Sequence, residues 1–131
     1  MRVFAVTALL AAAIVTTGAD AKSPKRDPEA ELAKMIGTRT AGPPEHCLPL
    51  MRGNSSTTIE GVGIVYQVGS KLYVNRFRGN CPMLTWDRII VTQTTTGQIC
   101  RGDIARIVSR TPVIDVGSCI FGDFTPYSRA K

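Results

Sequence analysis

Hydrophobic positions follow three spacings along the chain, and each predicts a different element. Residues 3–15 are a continuous apolar run with Thr7 as its one polar member. Leu32, Met35 and Ile36 then fall at i, i+3 and i+4, the stripe of a short amphipathic helix. From Cys47 onward the dominant spacing is two, the period of a strand with one buried face.

The first run reads as an export signal. Met1-Arg2 supplies the positive start, and Ala19-Asp20-Ala21 supplies the small-x-small pattern with cleavage after Ala21. A helix over 13 residues is about 20 Å long, short of the ~30 Å apolar core of a bilayer. Cleavage leaves 110 residues with no second run long enough to span a membrane. Residues 22–46 form a basic leader. Asp27 caps the helix, Pro28 takes its first position, Gly37 ends it, and Gly42-Pro43-Pro44 closes the zone as a stiff linker. The remaining zones are a β domain over residues 47–127 and a short tail over 128–131.

Within the domain, Val62, Ile64, Tyr66 and Val68 alternate, Gly69-Ser70 turns, and Leu72, Val74 and Phe77 follow, which predicts a hairpin. Residues 86–93 read as a strand, with Ile89, Ile90 and Val91 apolar on both faces. Residues 98–100 and 104–108 come next, with a bulge at Gly102. Residues 113–116 and 119–124 make a last pair turning at Gly117-Ser118. The expected fold is mainly β: a small antiparallel meander, barrel or roll of five to seven strands, one short N-terminal helix and two disulfides. Cys47, Cys81, Cys100 and Cys119 carry those disulfides, because so small an exported domain is marginal on core packing alone. Of the three pairings, Cys81–Cys100 with Cys47–Cys119 is favoured, the second closing the start of the domain onto its end. Sequential pairing, Cys47–Cys81 with Cys100–Cys119, is the main competitor.

Candidate chemistry is sparse. His46 adjoins Cys47, but neighbours on an extended strand point to opposite faces, so a thiol–imidazole dyad is disfavoured. There is no metal-ligand spacing, no phosphate loop and no expected cofactor. The carboxylates beyond the leader are Glu60, Asp87, Asp103, Asp115 and Asp123, from which a glycosidase would need a pair across a cleft. Asp87 and Asp103 sit near arginines and read as ion-paired. Asp115 and Asp123 adjoin glycines and read as turn residues. Tyr66, Tyr73, Phe77 and Trp86 read as core or rim, and aromatics at 6% argue against a single-strand nucleic-acid platform.

Charge adds one feature. The formal net charge is +6, and residues 71–110 alone carry +5. Arg76, Arg78, Arg88, Arg101 and Arg106 lie in that segment, with Arg76 and Arg78 on one face of their strand. Such a face ordinarily keeps a sheet edge solvated. The functional alternative is an anion-binding surface, since guanidinium forks suit phosphate and carboxylate groups.

Residues 47–124 resemble a bacterial family of small exported proteins classed only as a domain of unknown function. The resemblance rests on Cys47-Leu48-Pro49-Leu50, Val74-Asn75-Arg76 and Cys81-Pro82-Met83-Leu84. It continues in Ile99-Cys100-Arg101-Gly102-Asp103-Ile104 and Cys119-Ile120-Phe121-Gly122-Asp123-Phe124. Met83 and Ile120 depart from the family pattern of glycine after Cys-Pro and leucine after the last cysteine. The resemblance implies export and a shared core, and carries no activity.

The resulting expectation is a periplasmic or secreted, non-enzymatic binding or envelope-associated module whose partner is an anionic envelope component or an exported protein. The alternatives are an inhibitor of an exported enzyme and a small carboxylate-dependent hydrolase. N-terminal sequencing of the exported chain is expected to begin at Lys22, and a mature chain that keeps Met1 would contradict the signal reading.

Overall fold

A computed structural model describes Gly18 and residues 25–50 and 54–131. The rest of the signal segment, its cleavage point and Lys22, Ser23 and Pro24 lie outside the described residues. The helix, α1 (Pro28–Ile36), forms where its caps require. The Asp27 carboxylate accepts the amide hydrogens of Glu29 and Ala30, and the Gly37 amide donates to the Ala33 carbonyl. Leu32 is buried, and Met35 and Ile36 pack beside it.

Ten strands follow among the described residues, all paired antiparallel, so the mainly β expectation holds. They are β1 (Thr40–Ala41), β2 (Cys47–Pro49), β3 (Ser55–Ile59), β4 (Gly63–Val68) and β5 (Lys71–Arg76), then β6 (Arg88–Val91), β7 (Gln98–Cys100), β8 (Ile104–Arg110), β9 (Val113–Ile120) and β10 (Phe124–Ser128). The count exceeds five to seven because β1 and β2 are pieces of two or three residues, too short to show an alternation, and β3 is the polar run Ser-Ser-Thr-Thr-Ile, which carries no apolar period. The sheets are β1-β10-β5-β4-β3, β6-β8-β9 and β2-β7, with no closed barrel among the described residues. β1 pairs with β10 through Thr40–Ser128 and Ala41–Tyr127, so the leader and the tail both join the main sheet.

The β4–β5 hairpin is buried on both faces. Val65, Leu72 and Val74 meet Leu32 and Ile59 on one side. Ile64, Tyr66 and Phe77 meet Leu48, Leu84, Ile99, Ile107, Phe121 and Phe124 on the other. Residues directly opposite share a face (Val65 with Val74, Tyr66 with Tyr73), so this register assigns alternate side chains to two cores. The single apolar face suggested by residues 62–68 is therefore half the arrangement. The other face is closed by α1.

The two sheets are tied by residues 120–124, which leave β9 and enter β10. Arg78 donates its amide to the Ile120 carbonyl, Phe121 exchanges backbone hydrogen bonds with Gly102 and Asp103, and Phe124 exchanges two with Glu45. Between them, the side chain of Asn75 acts as a peptide group. Its amide nitrogen donates to the Gly122 carbonyl at 2.8 Å, and its oxygen accepts the Gly122 amide at 3.1 Å. Asn75 is the one fully buried polar residue among those described. The approach is close on both sides: a Cβ on Gly122 would overlap the Arg76 carbonyl, and one on Gly63 would overlap the Asn75 carbonyl.

Several expectations are corrected. The disulfides are Cys47–Cys100 and Cys81–Cys119, neither the favoured Cys81–Cys100 with Cys47–Cys119 nor the sequential set. Antiparallel pairing of β2 with β7 sets Cys47 directly opposite Cys100, with the Cα atoms 4.0 Å apart. Cys119, on the core face of β9, meets Cys81 in the loop after β5. The separations of 53 and 38 residues each correspond to roughly 4 kcal/mol of loop-closure entropy. Gly117-Ser118 is no turn. β9 runs straight through it and the chain reverses at Thr111-Pro112 instead, while the pairing of β8 with β9 skips Val116 as a bulge. Gly102 lies in the turn between β7 and β8, closed by the Asp103 amide on the Cys100 carbonyl. β6 begins at Arg88, and Ile89 stays 37% exposed because one face of the three-stranded sheet is open.

Two outcomes follow. Non-reducing peptide mapping is expected to link Cys47 with Cys100 and Cys81 with Cys119. Asn75→Ala leaves two buried backbone groups unpaired and is expected to lower stability by about 2–4 kcal/mol in chemical denaturation; a loss below roughly 0.5 kcal/mol would contradict that role.

Candidate functional site

The five arginines singled out by the sequence occupy separate places. Arg76, at the end of β5, donates two parallel hydrogen bonds to Glu29 of α1, at 2.6 and 2.9 Å. Arg101, in the β7–β8 turn, pairs with Asp123 at 3.2 Å. Arg106, on the open face of β8, donates from Nε and Nη2 to Asp115 at 2.8 and 2.7 Å. Arg88 points to the opposite face of its sheet and donates to the Met83 carbonyl at 2.6 Å. Arg78 is exposed and, among the described residues, forms no ion pair. The central excess of positive charge is thus distributed over several elements, with three of the five guanidinium groups held by carboxylates.

Each candidate carboxylate has a structural partner. Glu60 accepts the Trp86 amide at 2.8 Å, and Asp103 accepts the Cys100 amide at 2.8 Å. Asp87 accepts the Thr85 hydroxyl, which is the main reason its carboxyl sits below the usual range. Arg106, and then the Gly117 amide, hold Asp115 low in the same way. Asp123 faces Arg101 and also His46, whose Nδ1 is 3.6 Å away. A general acid at neutral pH needs the opposite shift. Burial does raise one group, pushing the Tyr66 hydroxyl up to about 12. Cys47 is disulfide-bonded, so His46 has no thiol to activate. Among the described residues, no three His, Cys, Asp or Glu side chains are placed to hold a metal ion.

A cavity of about 860 Å³ lies elsewhere. Lys25, Arg26 and Pro28 of the leader line one side, and Glu60, Pro82 and Trp86 are among the residues lining the rest. Trp86 is fixed by its backbone and free in its ring. The turn after β3 docks on this loop through the Gly61 amide to the Leu84 carbonyl and through Glu60 to the Trp86 amide. Leu84 is buried and Cys81 is tied to Cys119, so the loop has two anchors in the core. The indole nevertheless stays 75% exposed. From its sequence Trp86 is expected in the core or at its rim, and the structure leaves it exposed. Its polar neighbours Thr85 and Asp87 were the available sign of exposure.

No family model, no curated protein and no solved structure matches the chain.

The lowered carboxyls have a definite sign. Glu29, Asp87 and Asp115 favour their charged forms in the folded chain, so their contribution is complete above the ordinary carboxylate range near pH 4 and is lost as pH falls through their lowered values. NMR titration is expected to place all three midpoints below those of model peptides, with Arg106→Gln returning Asp115 towards the ordinary value. Midpoints at or above the model values would contradict the pairings.

Proposed function

We propose that the protein is an exported, non-enzymatic binding module acting in the periplasm or outside the cell. The observation that carries the reading is the engagement of every candidate carboxylate in holding turns, loops and strands, on a double-disulfide scaffold that still presents charged and aromatic side chains outward. Two disulfides suit an oxidising compartment. No helix of the described residues is long and apolar enough to cross a membrane. The resemblance to exported four-cysteine proteins of unknown function agrees with that placement. The net charge of +6 favours an anionic partner, met by the summed field and by unpaired cations such as Arg78, with Arg76, Arg88, Arg101 and Arg106 contributing in their paired states.

One observation favours a second reading, inhibition of an exported enzyme. Val113 and Ile114, at the tip of the β8–β9 hairpin, are 76% and 53% exposed, as in a rigid loop offered to a protein cleft. Crosslinking in the exported fraction, followed by assay of the captured protein, would yield one enzyme whose activity falls on binding under that reading and no inhibited enzyme under the first.

Pull-down from envelope fractions is expected to recover an anionic component at low salt and lose it at high salt. Recovery that ignores salt, or no recovery, would overturn the electrostatic reading.

A further inference from the structure

We infer that the cavity beside Trp86 binds an acidic sugar unit, a hexose ring bearing a carboxylate or phosphate. The inference rests on the binding-module reading and gives it a site and a ligand class. Three features converge there. An exposed indole offers a flat apolar face of the size of a pyranose ring, and its backbone amide is held by Glu60, which lines the same cavity. Lys25 and Arg26 line the same cavity and supply two cations. Glu60 commits Oε1 to the Trp86 amide, which leaves Oε2 to accept a sugar hydroxyl.

The combination discriminates between ligand classes. A purely apolar ligand would leave Lys25, Arg26 and Glu60 without partners, whereas an inorganic anion would leave the indole face uncovered and meet the Glu60 carboxylate. A ring with hydroxyls on its edge and an anionic substituent satisfies all three. Pro28 and Pro82 also line the cavity, and neither prolyl ring adds a polar group that needs satisfying. The volume of about 860 Å³ admits a di- or trisaccharide-sized ligand and falls within the usual range for small-molecule sites.

Trp86 is the single tryptophan of the chain, so its fluorescence reports this site alone. The full chain with intact disulfides is titrated with trigalacturonate, with glucose 6-phosphate, with neutral maltotriose and with triglutamate. Saturable change with trigalacturonate or glucose 6-phosphate, at least about tenfold tighter than with maltotriose or triglutamate, is expected, and the stronger of the two acidic arms identifies carboxylate or phosphate as the favoured group. Lys25→Ala with Arg26→Ala is expected to bring the acidic arms down to the maltotriose level. Trp86→Phe, followed by calorimetry, retains binding, and Trp86→Ala loses it by about tenfold or more. Equal response to maltotriose, tighter binding of triglutamate, or no response in any arm by fluorescence and calorimetry overturns the inference. Salt-sensitive envelope pull-down by the Trp86→Ala variant would then show that the binding-module reading survives without this site. Loss of pull-down by the unaltered protein would remove the reading itself.

Discussion

Asn75 and Gly122 form the contact on which the rest of the structure depends. A chain that leaves one sheet and enters another must bury backbone groups that no strand partner can reach, and each unpaired group costs about 1–3 kcal/mol. Here a side-chain amide completes the ladder: Asn75 donates to and accepts from the same residue, as a neighbouring strand would. Gly122 allows that approach, because any larger residue would strike the Arg76 carbonyl. Phe121 and Phe124, on either side, then enter the core with Phe77 and Tyr66 beside them.

Around this latch the cysteines act locally. Cys81–Cys119 fixes the loop that carries Leu84 into the core, and Cys47–Cys100 joins two three-residue strands too short to persist on their own. The second core, between α1 and the outer face of the β4–β5 hairpin, explains how a nine-residue helix survives. Leu32 supplies its burial, and Glu29 clasps Arg76 of β5. Fold and site share this arrangement, since the start of α1 and the residues before it line the cavity together with the turn after β3 and the loop anchored by Cys81.

Legibility in the sequence followed the range of the interactions. Asp27, Pro28 and Gly37 are short-range signals, and the helix begins and ends where they place it. The Gly69-Ser70 hairpin is equally local. The disulfide pairing was not legible, because it depends on the register of β2 against β7, and Cys-Leu-Pro and Gln-Ile-Cys are too short to reveal one. Arginine parity within a strand was readable. That Glu29, 47 residues away, neutralises Arg76 was not. Gly117 resembles a turn residue in sequence, and only the pairing of β8 with β9 makes it part of a bulge.

The central claim is that residues 120–124 are latched as firmly as the strands they connect. Native-state hydrogen exchange, read at single amides, tests it directly. The account predicts that the Phe121 and Gly122 amides exchange only through global unfolding, as slowly as the slowest amides of β4 and β5. Exchange of either amide at the rate of the exposed turn amides at Gly69 and Ser70 would contradict it.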